Sequence, residues 1–150
     1  MLRNVALIIF ATFVGILLTE ASLRLIGFYR PVEVIPDPIA GWSRPPNLQF
    51  RFTDEGDAQV TINSYGQRDR EHTLAKPHNT YRIAVLGDSY AEALQVNRSE
   101  AFWAILEAQL NQCGAFGGKK IEVLNFGVSG YGTAQELLTL RHRAWDFDRI

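Results

Sequence analysis

The residues best suited to chemistry in this sequence are Gly87, Asp88 and Ser89, which follow the short apolar run Ile83 to Leu86. Such a run, bounded by a glycine and followed by helix-compatible residues, is typical of a strand that is covered on both faces. A serine at the carboxyl end of a parallel strand lies where open α/β sheets bind ligands, and the amides of the next helix can hold an anion. We therefore interpret Ser89 as a candidate nucleophile. The alternative is that Asp88 or Ser89 only caps the following helix.

A second apolar run, Ile121 to Leu124, ends in a glycine-rich loop that includes Gly130. Between the two runs, Asn97 to Glu100 resembles the capped start of a helix. The order strand, helix, strand predicts a crossover connection and parallel pairing of the two strands. The loops that follow the two strands are then expected to face each other.

The two loops carry motifs in a specific order. Gly87-Asp88-Ser89, followed further along the chain by Asn125-Phe-Gly-Val-Ser-Gly130, resembles the first two sequence blocks of the SGNH, or GDSL-type, esterase and acyltransferase family. The resemblance covers residues 81–140, with Tyr90 where the family name expects leucine. It implies an α/β fold with a three-layer, parallel-sheet domain of the SGNH or flavodoxin-like type.

The resemblance also implies roles for individual residues. Ser89 corresponds to the family's nucleophile, and its backbone N–H is expected to be one oxyanion donor. Gly130 corresponds to the glycine whose backbone N–H is a second oxyanion donor. Asp88 and Asn125 are expected to position these groups without contacting the substrate. The expected substrate is an acyl ester of a small molecule or of a glycan, and no cofactor is implied.

A serine needs a general base within hydrogen-bond reach, usually a histidine oriented by a carboxylate. In the resembled family an Asp-x-x-His block lies near the carboxyl end of the domain, and a Gly-x-Asn-Asp block adds an oxyanion donor; neither block is identified in this sequence. His72, His78 and His142 are predicted to be surface residues without a catalytic role. We expect the chain to be the amino-terminal portion of a longer exported esterase or acyltransferase, incomplete and inactive by itself.

The sequence is also compatible with three other functions. The first is a binding or structural module of the cell envelope that keeps the corner geometry and performs no chemistry. The second is a nucleotide-binding domain, suggested by Gly127, Gly130 and Gly132, although their G-x-x-G-x-G spacing is the reverse of the dinucleotide fingerprint. The third is an α/β-hydrolase elbow, which fits less well because Ala91 stands where its last glycine is expected.

Composition narrows the class of protein. The chain has 150 residues, of which 47% are apolar and 21% charged, which is ordinary for one globular domain. A net charge of −1 without a basic run disfavours nucleic acid as a partner. The residues that ligate metals show no metal-binding spacing. The single cysteine, Cys113, is interpreted as small apolar filler.

The amino terminus is directed to a membrane. Residues 5–18 form an uncharged apolar stretch, preceded by Arg3 and followed by Glu20 and Arg24, which can pair if the helix continues towards Phe28. An uncleaved anchor, a cleaved signal peptide and a core helix are all compatible with this pattern. The first two place the domain on the extracytoplasmic side.

The rest of the chain is divided by composition. Residues 1–28 form the anchor or signal, residues 29–80 a proline-rich segment with a β-hairpin, and residues 81–150 the amino-terminal part of the SGNH-like domain. Residues 29–47 hold five of the six prolines and predict an extended linker or a wrapped arm. Alternating apolar residues over 48–62, with a turn at 54–57, predict the hairpin.

Three further elements are predicted on the carboxyl-terminal side of that linker. The charged stretch Arg68 to Glu71 is interpreted as a solvated turn after a turn at 63–66. Thr133 and Glu136 have the spacing of a capping box, which predicts a helix start just beyond Gly130. The helix after Glu100 should pack on the sheet through one face. That face is predicted to consist of Phe102, Ile105, Leu106 and Leu110.

Overall fold

The structure is a computed structural model that describes residues 2–27, 33–114 and 116–147. The chain divides into two units, residues 1–32 and 33–150. The first unit contains helix α1, Leu2–Leu25. The second is a mixed α/β unit, and its described strands form three two-stranded sheets.

Helix α1 is longer than the apolar stretch that predicted it. It has 24 residues, none of them buried, and is long and apolar enough to cross a membrane; a signal sequence near the amino terminus meets the same criteria. Arg24 Nε lies 2.8 Å from Glu20 Oε1, so the predicted pair one turn apart is formed. An amino-terminal apolar helix is therefore present.

Two antiparallel hairpins open the second unit. Strands β1 (Ile35–Asp37) and β2 (Gly41–Ser43) form the first hairpin, so residues 33–47 are not an extended linker. Residues 29–32 of that predicted segment lie outside the described residues. Strands β3 (Gln49–Phe52) and β4 (Ala58–Thr61) form the second hairpin, which confirms the hairpin predicted over 48–62.

The parallel pair predicted from the two apolar runs is present. Strand β5 (Thr80–Val85) pairs in parallel with β6 (Lys120–Asn125). Helix α3 (Phe102–Gln112) follows a 3₁₀ turn at Arg98–Glu100 and packs on one face of the pair. Helix α4 (Thr133–His142) and a 3₁₀ turn at Ala144–Asp146 contribute side chains to the opposite face. Both faces of the two strands are therefore covered, as expected for buried parallel strands.

The buried face of α3 differs from the predicted one. Trp103 is fully buried and packs against the sheet, whereas Phe102 and Ile105 are 53% and 42% exposed. Trp103 Nε1 also donates a 3.0 Å hydrogen bond to the carbonyl oxygen of Ala91. Leu106 and Leu110 do pack against the sheet as predicted, so the buried face includes Trp103 in place of Phe102 and Ile105.

Side chains close the outer edge of β6. Alternate backbone N–H groups of this strand point away from β5, because Lys120 and Phe126 donate theirs to Asn79 and Val85 on the β5 side. The three outward N–H groups are those of Ile121, Val123 and Asn125, and their acceptors are Asn111 Oδ1 at 2.9 Å, Glu107 Oε2 at 2.7 Å and Asp69 Oδ2 at 3.1 Å. A strand edge whose donors are taken by side chains cannot extend the sheet on that side.

Two predictions about polar residues are wrong. Arg68 and Asp69 are each only 2% exposed, so the stretch that starts there is not a solvated turn. Arg68 is buried because its guanidinium donates to the carbonyl oxygens of Glu92 and Val96. Cys113 is exposed at the end of α3 rather than packed as filler.

The helix predicted just beyond Gly130 is present as α4, but its cap differs from the prediction. Gly132 is the N-cap residue, and its N–H donates to Gln135 Oε1 at 3.2 Å. Thr133 is therefore the first helical residue, and Glu136 is one position too late to close a capping box.

Candidate active site

The chain turns sharply after β5 into the short helix α2 (Ser89–Glu92). Asp88 is its N-cap, and Asp88 Oδ1 accepts the Tyr90 N–H at 3.0 Å. Capping is thus performed by Asp88, which leaves Ser89 in the first helical turn. Neither the hydroxyl nor the backbone N–H of Ser89 donates a hydrogen bond to another described residue.

The loops after β5 and β6 are in direct contact. The Val128 N–H donates to the Gly87 carbonyl oxygen at 3.1 Å. Ala91 lies against two glycines, because a Cβ built on Gly87 or Gly127 would stand 2.7 or 2.5 Å from the Ala91 Cβ. Only glycine permits this approach, so the two loops are held together as the strand pairing predicts.

Asn125 fixes the start of the second loop. It is fully buried, and its Oδ1 accepts the Gly127 N–H at 3.0 Å. Its Nδ2 donates to the Arg68 carbonyl oxygen at 3.2 Å. Asp69 accepts the Asn125 backbone N–H, so the loop is tied to the buried segment around residue 69.

Gly130 occupies an exposed bend of the second loop. Its φ is +83°, a conformation that L side chains rarely adopt. The neighbouring groups are committed, since Trp42 Nε1 donates to the Ser129 carbonyl oxygen at 3.2 Å and the Tyr131 hydroxyl donates to the Trp42 carbonyl oxygen at 2.7 Å. The Gly130 N–H forms no hydrogen bond with the described residues, and it remains available as a donor.

A buried carboxylate joins the first loop to the second. Glu92 ends α2 and is fully buried. Its Oε2 accepts the Ser129 N–H at 2.8 Å and the Ser129 hydroxyl at 2.5 Å. Arg44 donates to Glu92 through Nε at 2.6 Å and Nη2 at 2.9 Å. Three segments of the chain therefore meet at one carboxylate, next to the Gly130 bend.

The Arg44 guanidinium is held in its charged form by this pairing. Burial alone lowers the pKa of Arg44, but the hydrogen bonds and the negative charge of Glu92 raise that pKa above its ordinary value. Glu33 contributes a second negative charge, with Oε2 at 3.5 Å from Arg44 Nη1. The pair is thus an ion pair with two hydrogen bonds, as expected for a buried arginine.

Ser89 opens onto a cleft. The cleft is lined by Glu55, Ser89, Tyr90, Ala93, Gln95 and Val96. The tip of the β3–β4 hairpin forms one wall, because Gln95 Nε2 donates to Glu55 Oε2 at 2.9 Å. Tyr90 is 85% exposed beside the serine. A ligand can therefore reach Ser89 from solvent.

The histidines do not supply a base for Ser89. His78 and His142 are exposed, as predicted, but His72 is buried, and its prediction as a surface residue is wrong. His72 Nε2 lies 3.0 Å from Asp69 Oδ2, and Nδ1 is buried without a hydrogen-bond partner. This pair has the Asp-x-x-His spacing, but it precedes Ser89 in the sequence, whereas the resemblance places that block near the carboxyl end of the domain. Among the described residues, no histidine forms a hydrogen bond with Ser89.

Three other residues of the site were not anticipated. Glu92 is a single carboxylate in the otherwise apolar stretch Ala91 to Leu94, which is the only sequence signal of its burial. Arg44 and Trp42 come from the proline-rich segment; a wrapped arm was one of two expectations for it, but nothing in the sequence indicates which distant residues it contacts.

Comparison with protein-family models gave no match for this chain, and a search of curated proteins gave none either.

Proposed function

We propose that the chain forms the nucleophile and oxyanion side of a serine-dependent site that hydrolyses or transfers an acyl group, of the SGNH type. The observation that supports this is a pair of backbone N–H groups, those of Ser89 and Gly130, which make no hydrogen bond with the described residues and follow two adjacent parallel strands in loops that contact each other. The exposed cleft at Ser89 provides access for the ester.

The chemistry assigns a role to each group. The Ser89 hydroxyl attacks the acyl carbonyl carbon, and the negative charge that develops on the carbonyl oxygen is stabilised by the N–H groups of Ser89 and Gly130. The alcohol leaves with a proton, and water or a second alcohol then takes the acyl group. A base must accept the serine proton, and the described residues bring none to Ser89.

The apolar helix α1 suggests where the site works. In this proposal, α1 either anchors the protein in the membrane or directs its export. In both cases the second unit lies on the extracytoplasmic side. In that position, acyl esters of small molecules or of envelope glycans are the proposed substrates.

Chemical rescue tests the proposal. The full chain in detergent is incubated with 4-nitrophenyl acetate, with and without imidazole, which replaces the missing base. We expect acetylation of the Ser89 hydroxyl only when imidazole is present; fragment-ion mass spectrometry distinguishes it from acetyl on the exposed Tyr90, which the acetylimidazole formed from imidazole and the ester can modify directly. Ser64→Ala, in an exposed turn, should leave this adduct unchanged, and Ser89→Ala should abolish it.

A catalytically inactive binding or structural module is the second candidate. It is favoured by the His72–Asp69 pair, which is sealed in the core and has no contact with the serine. In that case no acetyl adduct forms on Ser89 under either condition. Robust turnover without imidazole would instead mean that a histidine of this chain reaches Ser89.

A further inference from the structure

A cavity lies beside the β3–β4 hairpin and shares no lining residue with the cleft at Ser89. It has a volume of about 80 Å³ and is lined by Gln59, Thr61, Arg68 and Arg98. That volume exceeds the roughly 10–15 Å³ that one water molecule requires. The lining contains two guanidinium groups, a hydroxyl and an amide, and it contains no carboxylate.

Arg68 brings a buried charge to this cavity without a carboxylate partner. Its side chain donates from Nη1 to the Glu92 carbonyl oxygen at 2.8 Å and from Nη2 to the Val96 carbonyl oxygen. Its Nε is buried and has no hydrogen-bond partner among the described residues. A buried donor without a partner is costly, so a ligand acceptor here would be stabilising.

Arg98 brings the second charge. Its Nε lies 3.1 Å from Asp69 Oδ1, and its guanidinium carbon lies 5.4 Å from the centre of the Trp103 ring. Both Nη atoms are without hydrogen bonds to the described residues. Burial lowers the pKa of Arg68 to about 10; the charge of Arg98 adds to this effect, and the negative charges of Glu92 and Asp69 oppose it. Asp69 and Glu92 thus partly compensate the two cations from outside the cavity, whose own lining holds no carboxylate between Arg68 and Arg98.

We propose that this cavity binds a small oxyanion, such as a phosphate or a carboxylate group, between Arg68 and Arg98, with the Thr61 hydroxyl and the Gln59 amide as further donors. Guanidinium groups match the oxygens of such anions in geometry as well as in charge. The ligand would also stabilise the segment 93–96, because Arg68 holds the carbonyl oxygen of Val96 and Val96 lines the Ser89 cleft. The site does not depend on the chemistry proposed for Ser89.

Titration of the full chain in detergent tests the site. Chains labelled with ¹⁵N-arginine are titrated with sodium phosphate, sodium acetate or sodium chloride at constant ionic strength. We expect saturable shifts of the Arg68 and Arg98 Nε–H signals with phosphate, acetate or both, and none with chloride. The anion that saturates at lower concentration identifies the preferred ligand chemistry.

Variants separate a site from a general salt effect. Arg98→Gln should weaken binding at least about tenfold, and Thr61→Val, which keeps the shape of the side chain, should weaken it less. Arg51→Gln removes the same charge from an exposed pair on the neighbouring strand β3 and should bind like the parent. Equal titration curves for Arg98→Gln, Arg51→Gln and the parent would overturn the proposal, as would no saturable shift in the parent. If Arg98→Gln does not fold, unchanged binding by Thr61→Val overturns it.

Discussion

At the scale of single residues, the buried carboxylate of Glu92 holds the loop that carries Gly130, although Glu92 belongs to neither sequence motif of the site. Glu92 accepts hydrogen bonds from Arg44 and from Ser129, which lies next to Gly130. A buried ion pair adds little net stability compared with apolar residues, but loss of one partner leaves the other charge uncompensated. The position of Gly130 is therefore sensitive to Glu92.

Glu92→Gln should lower the free energy of unfolding by about 3–5 kcal/mol, because Arg44 then loses its fully buried, doubly hydrogen-bonded partner and keeps only the longer, partly exposed contact with Glu33. The measurement is chemical unfolding of the second unit, followed by tryptophan fluorescence of the full chain in detergent. Asp57→Asn is the control, because it breaks an exposed pair with Arg51 and should leave the unfolding curve unchanged. Equal effects of the two substitutions would mean that the buried contacts of Glu92 with Arg44 and Ser129 do not stabilise the fold.

Gly127→Ala should destabilise the protein by about 1–3 kcal/mol, since its Cβ would overlap the Ala91 Cβ and the Glu92 backbone nitrogen, at 2.5 and 2.7 Å. The same assay measures this change. Gly132→Ala is matched to it in the same loop, with only an ordinary contact at 3.6 Å to Gln135, and should cost less, about 0.5–1 kcal/mol, because alanine is a poorer N-cap than glycine. An unchanged Gly127→Ala would show that the two loops are not in contact.

The sequence identified the exposed part of this site better than its buried part. Ser89 and Gly130 follow apolar runs and glycines, which are local signals. Glu92 and Arg44 are 48 positions apart in the chain, and their pairing follows from tertiary packing. Burial of Asp69 and of His72, which pairs with it, has the same origin, because the other partners of Asp69 are Asn125 on β6 and Arg98 before α3.

At the scale of elements, strongly periodic or continuous apolar segments were predictable. Strand β5 overlaps the apolar run Ile83 to Leu86, and β6 contains the run Ile121 to Leu124. A glycine follows each run, so the pairing of the two strands could be inferred. Strands β1 and β2 have three residues each and include Pro36, so nothing distinguished them from a linker. Short strands of this kind are stabilised by contacts such as that between Trp42 and Ser129, which are not visible in the sequence.

Glu122 tests the register of the parallel pair. It lies opposite Arg82, with Oε2 at 3.0 Å from Arg82 Nε. Burial raises the pKa of Glu122, but hydrogen bonds and charge from Arg82 and Lys120 lower it overall below its ordinary value of 4.5. The unfolded state therefore binds more protons, and this stabilisation is present above pH 4.5 and is lost as the pH falls further.

Glu122→Gln should consequently lower stability near neutral pH and flatten its decrease between about pH 5 and about pH 3. Chemical unfolding at several pH values measures both effects. Glu136→Gln removes a carboxyl group from α4 that makes no hydrogen bond with the described residues, and it should keep the slope of the parent. A parent-like slope in Glu122→Gln would contradict the pairing.

At the scale of the whole molecule, the chain combines an apolar helix with a mixed α/β unit. The helix was predictable from its continuous apolar composition, and it extends beyond the uncharged stretch 5–18 to include the Glu20–Arg24 pair. The class of the second unit followed from its strand, helix, strand order. The contribution of β1–β2 to the site did not, because it requires residues near position 44 to reach the loop after β6.

The proposed membrane role of α1 depends on the apolar centre of the helix rather than on its length. Each arginine at the centre of a membrane helix costs about 2.5–3.5 kcal/mol, whereas arginines near the ends reach the interface.

Phe13→Arg combined with Ile16→Arg should move the full chain from carbonate-washed membranes into the soluble fraction. Leu2→Arg combined with Leu25→Arg adds the same charge at the ends of α1 and should leave it in the membrane. Immunoblotting of the fractions gives both size and location, and a cleaved signal would appear as a shortened product. An uncleaved parent chain in the soluble fraction would contradict both the anchor and the export signal.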